Sequence, residues 1–362
     1  VADFRVIFMG IETPDPAVLL KTQKSQNTMR PIVERVSKLY KYRMVPTVIT
    51  RLEPAHVLPG DISDMYKAET IRPLQVNEVP RSTVRLRWVP EAFKVRRRPI
   101  RWTEIINNAI AKNATQKPRM ATTSSAIEDS LEGKWSVKID LRAYFDQFRL
   151  ENGVELLHCF MAGGQRWCCT TLPMGQRQSV YVATAATERL LNYDHGGVTV
   201  SYCIDDVRFV GQKLAVERAF TTFVERCKAV RAVIKEINVM EYTQNDVKQL
   251  VTQANEFMGM YFKYAQRTVA LSKKSSEKLC LVGKKLAELE YGDHPVEARE
   301  FAAWIGMALY AARVLGIPRC NYYEALRFYR RVAAAISEDE QMWDWSLEVP
   351  QGVRRNLARW VS

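Results

Sequence analysis

The sequence predicts an α+β fold organised around an antiparallel sheet, and three observations carry that reading. Apolar residues alternate along Trp135-Ser-Val-Lys-Ile-Asp140, the period of a β-strand with one buried face. The same alternation runs through Val198, Val200, Tyr202 and Ile204 and resumes at Val207 and Phe209, which marks two strands joined by a tight turn at Asp205-Asp206. Beyond residue 270 the apolar spacing turns helical.

Taken in chain order, residues 1–80 mix prolines, short apolar runs and scattered charges, and no chemistry is read there. From Arg81 to Arg101 eight basic residues (Arg81, Arg85, Arg87, Lys94, Arg96, Arg97, Arg98, Arg101) face Glu91 alone. Alternation in Val84-Arg-Leu-Arg-Trp88 makes this a strand with one basic face, an anion-binding finger in preference to a solvated tail. Leu172-Pro-Met-Gly175 reads as a turn leading into a helix that Ser179 caps, with Val180, Ala183, Ala186 and Leu190 at helical spacing. Gly175 lets the backbone approach a ligand closely. Val216 to Ile237 reads as one helix, and Glu256 to Phe262 as one strand containing a glycine. Leu279, Val282, Leu286 and Leu289 form the apolar stripe of a helix that Gly292 ends, with Lys273, Lys274, Lys278, Lys284 and Lys285 on its polar side. Asn321 and Glu324 suggest a capping box for a helix carrying Arg327, Arg330 and Arg331 among Tyr322, Tyr323, Phe328 and Tyr329. Such interleaving of basic and aromatic residues suits a phosphate backbone and its sugars, and equally a solvated helix face.

The 362 residues carry a net charge of +13, the sign that a polyphosphate partner demands. Seven cysteines in a chain this long do not suggest a disulfide framework, so a reducing compartment, cytoplasm or nucleus, is expected. Cys159, Cys168 and Cys169 beside His158 lack the CxxC spacing of a zinc site, and buried thiols are the better reading. The longest apolar stretch, Phe301 to Ala312, is too short to span a bilayer, and no membrane partner is expected. The amino end lacks the blocks of a signal peptide, and its first residue is Val, as suits a fragment or processed product.

Two strands that each deliver a carboxylate to one end of a sheet place Asp140, Asp205 and Asp206 together. Carboxylates so placed can hold two divalent ions about 3.5–4 Å apart, the arrangement that serves phosphoryl transfer. Hard oxygen ligands suit Mg²⁺, with Mn²⁺ as a substitute.

The order of these pieces resembles the fingers-palm-thumb core of a reverse transcriptase. Asp140-Leu-Arg-Ala-Tyr-Phe145 is similar to the family's first catalytic motif, Leu172-Pro-Met-Gly175 to its LPQG-type motif, and Cys203-Ile-Asp205-Asp206 to its YxDD box. Phe257-Met258-Gly259 resembles the FLG-type primer grip, and Arg98-Pro-Ile100 ending in Asn107 resembles the fingers motif. The match runs from about residue 85 to 265 with every motif in order. The segment Trp343 to Trp360 looks like the link between polymerase and RNase H in tyrosine-recombinase (DIRS-like) retroelements, and the chain resembles the VIPER elements of trypanosomatids.

The resemblance implies a right-hand polymerase: an extension over 1–80, fingers and palm over 81–262, and a helical thumb with the start of a connection over 263–362. It implies RNA-directed DNA synthesis from a DNA primer or duplex on an RNA template, also copying DNA, with dNTPs and two Mg²⁺ ions. Any RNase H domain would lie elsewhere in a longer polyprotein. Asp140 and Asp205 would hold the metals with Asp206 assisting, and Lys94 and Arg98 would bind the triphosphate. Arg98 aligns better than Arg96 or Arg97. Phe145 would exclude a ribose 2′-hydroxyl, Gly175 and Gln178 would line the nascent pair, and Phe257, Met258 and Gly259 would hold the primer end. Lys248, 11 residues before Gly259, stands where the family keeps a lysine that protonates pyrophosphate, and a surface lysine is the equal alternative. Met174 and Cys203 depart from the family's Gln and Tyr. Asp146 keeps an RNA-dependent RNA polymerase in view, because such enzymes carry a second Asp that accepts the ribose hydroxyl. The other alternative is a catalytically idle palm that binds RNA as a scaffold.

Overall fold

The alternation around Asp140 and Asp205-Asp206 does produce an antiparallel sheet in the computed structural model. The structure describes residues 6–9, 45–48, 59–90, 97–103, 106–107, 119–291, 295–338, 343 and 345–358. The chain divides into two units, one of residues 54–272 and one of residues 1–53 with 273–362.

In the unit of residues 54–272, strand Asp206–Gly211 lies between Trp135–Asp140 and Thr199–Cys203. Val137, Ile139, Val207 and Phe209 are fully buried, because the period of two puts all four on one face. Helices Arg177–Leu190 and Lys213–Ala229 supply Ala183, Leu190, Val216, Phe220, Phe223 and Val224 to the same core. A second antiparallel sheet orders Ile71–Pro73, Gln165–Cys169 and Cys159–Ala162. Strands Arg85–Pro90 and Arg97–Trp102 pair as a ribbon. All seven cysteines are free; Cys159 and Cys168 are cross-strand partners with sulfurs 2.9 Å apart.

In this unit the chain departs from the sequence expectation at three places. The helix expected to run from Val216 to Ile237 stops at Ala229. Arg231 adopts a left-handed φ of 57°, which turns the chain so that Ile234 bridges Leu141 and Lys235 N donates to Asp140 O at 2.9 Å. The single strand expected over Glu256–Phe262 is a hairpin of Ala254–Phe257 and Met260–Lys263, continued by Thr268–Leu271. Met258 (φ 51°) and Gly259 (φ 76°) both lie in the left-handed region, which a two-residue hairpin turn demands. Ser179 is not the cap: the helix begins at Arg177 with Gln176 as N-cap, and the buried Ser179 hydroxyl donates to Pro173 O at 2.7 Å.

The other unit is helical in its later segment, with Lys273–Tyr291, Ala298–Val314, Tyr323–Glu338 and Gln351–Ala358. Val282, Phe301, Trp304, Ile305, Ala325, Val353 and Leu357 share its core. Asn321 does not open the third helix; it sits in the preceding 3₁₀ turn Arg319–Tyr322, where its carbonyl accepts from Asn356 Nδ2 at 2.8 Å. Gly292 lies outside the described residues. In the earlier segment Val6–Met9 pairs in parallel with Val45–Val48. Among the described residues no helix is long and apolar enough to cross a membrane.

Candidate active site

The carboxylates meet at one edge of the central sheet. Asp206 is the Cα partner of Asp140 on one side and of Cys203 on the other, so Ile204 and Asp205 alone form the turn. Asp205 O accepts from Leu141 N at 2.9 Å, which ties the turn back to the Asp140 strand. Ile204 holds a φ of 61°, a strained conformation for a β-branched residue. The Thr187 hydroxyl donates to Ile204 O at 2.7 Å and lies 3.0 Å from the Tyr144 hydroxyl, so the helix behind the sheet holds the strained turn in place.

Two lysines balance part of the acidic charge. Lys138 Nζ lies 2.7 Å from Asp206 Oδ1, and Lys235 Nζ lies 3.5 Å from Asp140 Oδ2. Burial works to lower the Lys138 ammonium, but its hydrogen bond to Asp206 and the charges of Asp206, Glu236 and Asp140 outweigh that and raise it. Among the described residues no lysine or arginine pairs with Asp205: burial pushes its carboxyl up, and the charges of Asp206 and Asp140 push it further, against a backbone hydrogen bond and Lys138. Among the described residues no group of three or more His, Cys, Asp or Glu side chains closes into a ready-made metal cage. The three side chains offer hard oxygens of the kind that could hold Mg²⁺, with Lys138 as the positive charge acting on Asp205.

The Leu172–Gly175 turn is held against the second strand of the basic ribbon. Gly175 has φ 110°, and a Cβ there would lie 2.8 Å from Arg101 O, so only glycine fits. Asn107 fixes both sides of the turn: its Nδ2 donates to Gly175 O at 3.0 Å and its Oδ1 accepts from Arg177 N at 2.8 Å. Gln178 is half-buried in the first turn of that helix, with Oε1 accepting from Gln176 Nε2.

Phe145 lies in the 3₁₀ turn Tyr144–Gln147 and packs, partly buried, against the core of the central sheet. Asp146 is already engaged: Thr171 Oγ1 donates to its Oδ1 at 3.0 Å, and Arg101 Nη2 lies 3.5 Å away. Arg101 corrects the sequence reading of the basic run. It is 4% exposed, and its Nη1 donates to Thr171 O and Leu172 O, so it is a strut under the turn and not part of an open anion-binding face.

Lys94 lies outside the described residues, as does the side chain of Arg98, whose backbone is in strand Arg97–Trp102. Phe257 is buried, and Met258-Gly259 form the turn after it. Lys248 is exposed on helix Gln244–Leu250, while Lys235 reaches Asp140. Sequence reasoning missed both lysines of the acidic edge. Lys138 carried a signal, since period two places it on the face of Asp140; Lys235 carried none, because its surroundings read as helix.

No protein-family model matches the chain, and no curated protein matches it. Solved structures do. A foamy viral protease-reverse transcriptase in complex with double-stranded DNA has a TM-score of 0.58 at 16% identity, covering 83% of this chain and 46% of that one. A second such complex with double-stranded DNA gives 0.53 at 16% identity, covering 83% and 54%. A complex with an RNA/DNA hybrid gives 0.55 at 13% identity, covering 84% and 37%. The chain therefore spans about half, or less, of the length of these structures. At such identities the likeness is one of fold: a mixed helix and sheet fold of reverse-transcriptase type.

Proposed function

We propose that the chain is an RNA-directed DNA polymerase that extends a DNA primer on an RNA or DNA template. One observation carries the reading: Asp140, Asp205 and Asp206 meet at a single sheet edge of a reverse-transcriptase-like fold. In this reading residues 81–262 are fingers and palm, residues 263–362 are thumb and the start of a connection, and residues 1–80 are an extension. The chain then comes from a retroelement, with the DIRS-like group as the proposed source and any RNase H domain elsewhere in a longer protein.

Asp140 and Asp205, with Asp206 beside them, would hold two Mg²⁺ ions, with Mn²⁺ as the substitute. When bound, these supply activation of the primer 3′-hydroxyl and neutralisation of the departing pyrophosphate. The protein's own side chains do the positioning. Arg98 and Lys94 bind the triphosphate, Gly175 and Gln178 bound the nascent pair, and Phe257, Met258 and Gly259 seat the primer end. Lys248 is retained as a candidate proton donor to pyrophosphate, although Lys235 lies closer to the carboxylates.

Deoxynucleotides are the proposed substrates for two reasons. Phe145 occupies the gate position, and Asp146, the residue that would accept a ribose hydroxyl in an RNA polymerase, is taken up by Thr171 and Arg101. The test is primer extension on an RNA template with Mg²⁺, offering dNTPs or NTPs. Extension by dNTPs supports the proposal, extension by NTPs moves the chain to the RNA polymerases, and RNA binding without extension makes it a scaffold.

A further inference from the structure

Arg208 heads the fully buried side chains by volume among the described residues, with no exposure to solvent. Its guanidinium lies between two aromatic rings, 4.6 Å from the centroid of Phe257 and 4.7 Å from that of Phe262. Nη2 donates to Ala126 O at 2.7 Å and to Ser201 Oγ at 3.0 Å. The Ser201 hydroxyl donates to Asp129 Oδ2 at 2.7 Å, and that carboxylate lies 3.9 Å from Nη2. Among the described residues no acceptor meets Nε or Nη1 in full hydrogen-bonding geometry, while the buried Tyr264 hydroxyl interacts with the guanidinium.

Burying a cation whose donors are only partly satisfied is costly, and an apolar side chain of similar length would fill the space at less expense. The sandwich between two ring faces offsets part of that cost and uses the planarity of the guanidinium. What the arrangement supplies is a join. Arg208 sits two residues after Asp206 on the same strand, and therefore on the same sheet face. Phe257 immediately precedes the Met258-Gly259 turn, and Phe262 lies on the returning strand of that hairpin. The backbone of helix Thr123–Asp129 is tied in through Ala126 O.

We propose that Arg208 is a positioning residue that sets the separation between the Asp205-Asp206 turn and the Met258-Gly259 turn. It thereby places the primer 3′ end against the carboxylates. This rests on the polymerase reading above. Core packing alone would not require a cation here; a fixed distance between two hairpins does, because a stacked guanidinium has a defined plane and defined donors.

The test compares wild type with Arg208→Met in single-nucleotide primer extension, together with thermal unfolding and duplex affinity. The expected result is a folded variant that binds duplex as wild type does, with an unchanged dNTP KM. Its turnover per bound duplex falls about 10- to 100-fold, the scale of a small misplacement of reacting groups. Wild-type turnover in folded R208M overturns the role. Should R208M fail to fold, Phe262→Leu removes one ring and leaves the hydrogen bonds of Arg208, and it carries the same expectation; wild-type turnover there overturns the role equally. A wild-type chain that extends no primer overturns the polymerase reading itself, which separates that failure from this one.

Discussion

Asp140 and Asp206 are direct cross-strand partners, and a lysine meets each carboxylate from a different direction. Lys138 reaches Asp206 from the neighbouring strand, and Lys235 reaches Asp140 from the chain that runs beside it. The acidic edge is thus held together by internal cations, and any metal must compete with them.

Lys138→Gln therefore strengthens metal binding. Removing the ammonium frees Asp206 and deletes a like charge near the ion, an effect of about two- to fivefold for a partly exposed pair. Mn²⁺ titration followed by electron paramagnetic resonance, without nucleotide, reads this directly. An unchanged or weaker affinity would contradict the charge balance described here.

Phe145→Ala admits ribonucleotides. The ring is partly buried in a short 3₁₀ turn entered through Ala143 at φ 46°, so its position is set by backbone and not by a flexible loop. The measurement is the ratio of dNTP to NTP incorporation, which falls in the variant. An unchanged ratio removes Phe145 from the gate. Thr171→Val, which removes the donor to Asp146, shifts the ratio in the same direction by freeing that carboxylate.

Gly175→Ala destabilises the fold by about 1–3 kcal/mol, because the alanine would be strained at φ 110° and its Cβ would press on Arg101 O. Urea unfolding measures the loss, and a neutral substitution would mean that the turn is free to move.

His158 makes stability depend on pH. Burial, with the nearby charge of Arg101, lowers its imidazole from 6.5 to about 4, and among the described residues neither ring nitrogen has a hydrogen-bond partner. The fold accommodates the neutral ring, so protonation favours unfolding. The contribution is complete above pH 6.5, is lost as pH falls from 6.5 towards 4, and changes no further below that. The loss is on the order of 3 kcal/mol. Denaturant unfolding at pH 7 and pH 4.5 should show a drop in wild type that is smaller in His158→Met. Equal drops would exclude His158 as its source.

Much of the site was legible because strand periodicity is local. The alternation on both sides of Asp205-Asp206 placed the turn one residue late, since Ile204 and Asp205 form it, and the same period placed Asp140 at a strand end. What escaped depended on distant partners or on backbone conformations that a side chain conceals. Arg101 reads as surface charge until Thr171 and Leu172, some 70 residues on, supply its acceptors. Met258 hides a hairpin turn because its left-handed φ is unusual for methionine. Helical spacing continues past Ala229 in the sequence, yet Ile234 pairs with Leu141, and that tertiary pairing overrides propensity.

If the three carboxylates perform nucleotidyl transfer, neutralising Asp205 abolishes it. Wild type and Asp205→Asn are assayed for dNTP incorporation on a primed RNA template with Mg²⁺, with duplex affinity measured in parallel. Wild type is expected to extend the primer and the variant is not, with similar duplex affinity for both. Normal extension by Asp205→Asn would contradict that role for the carboxylates.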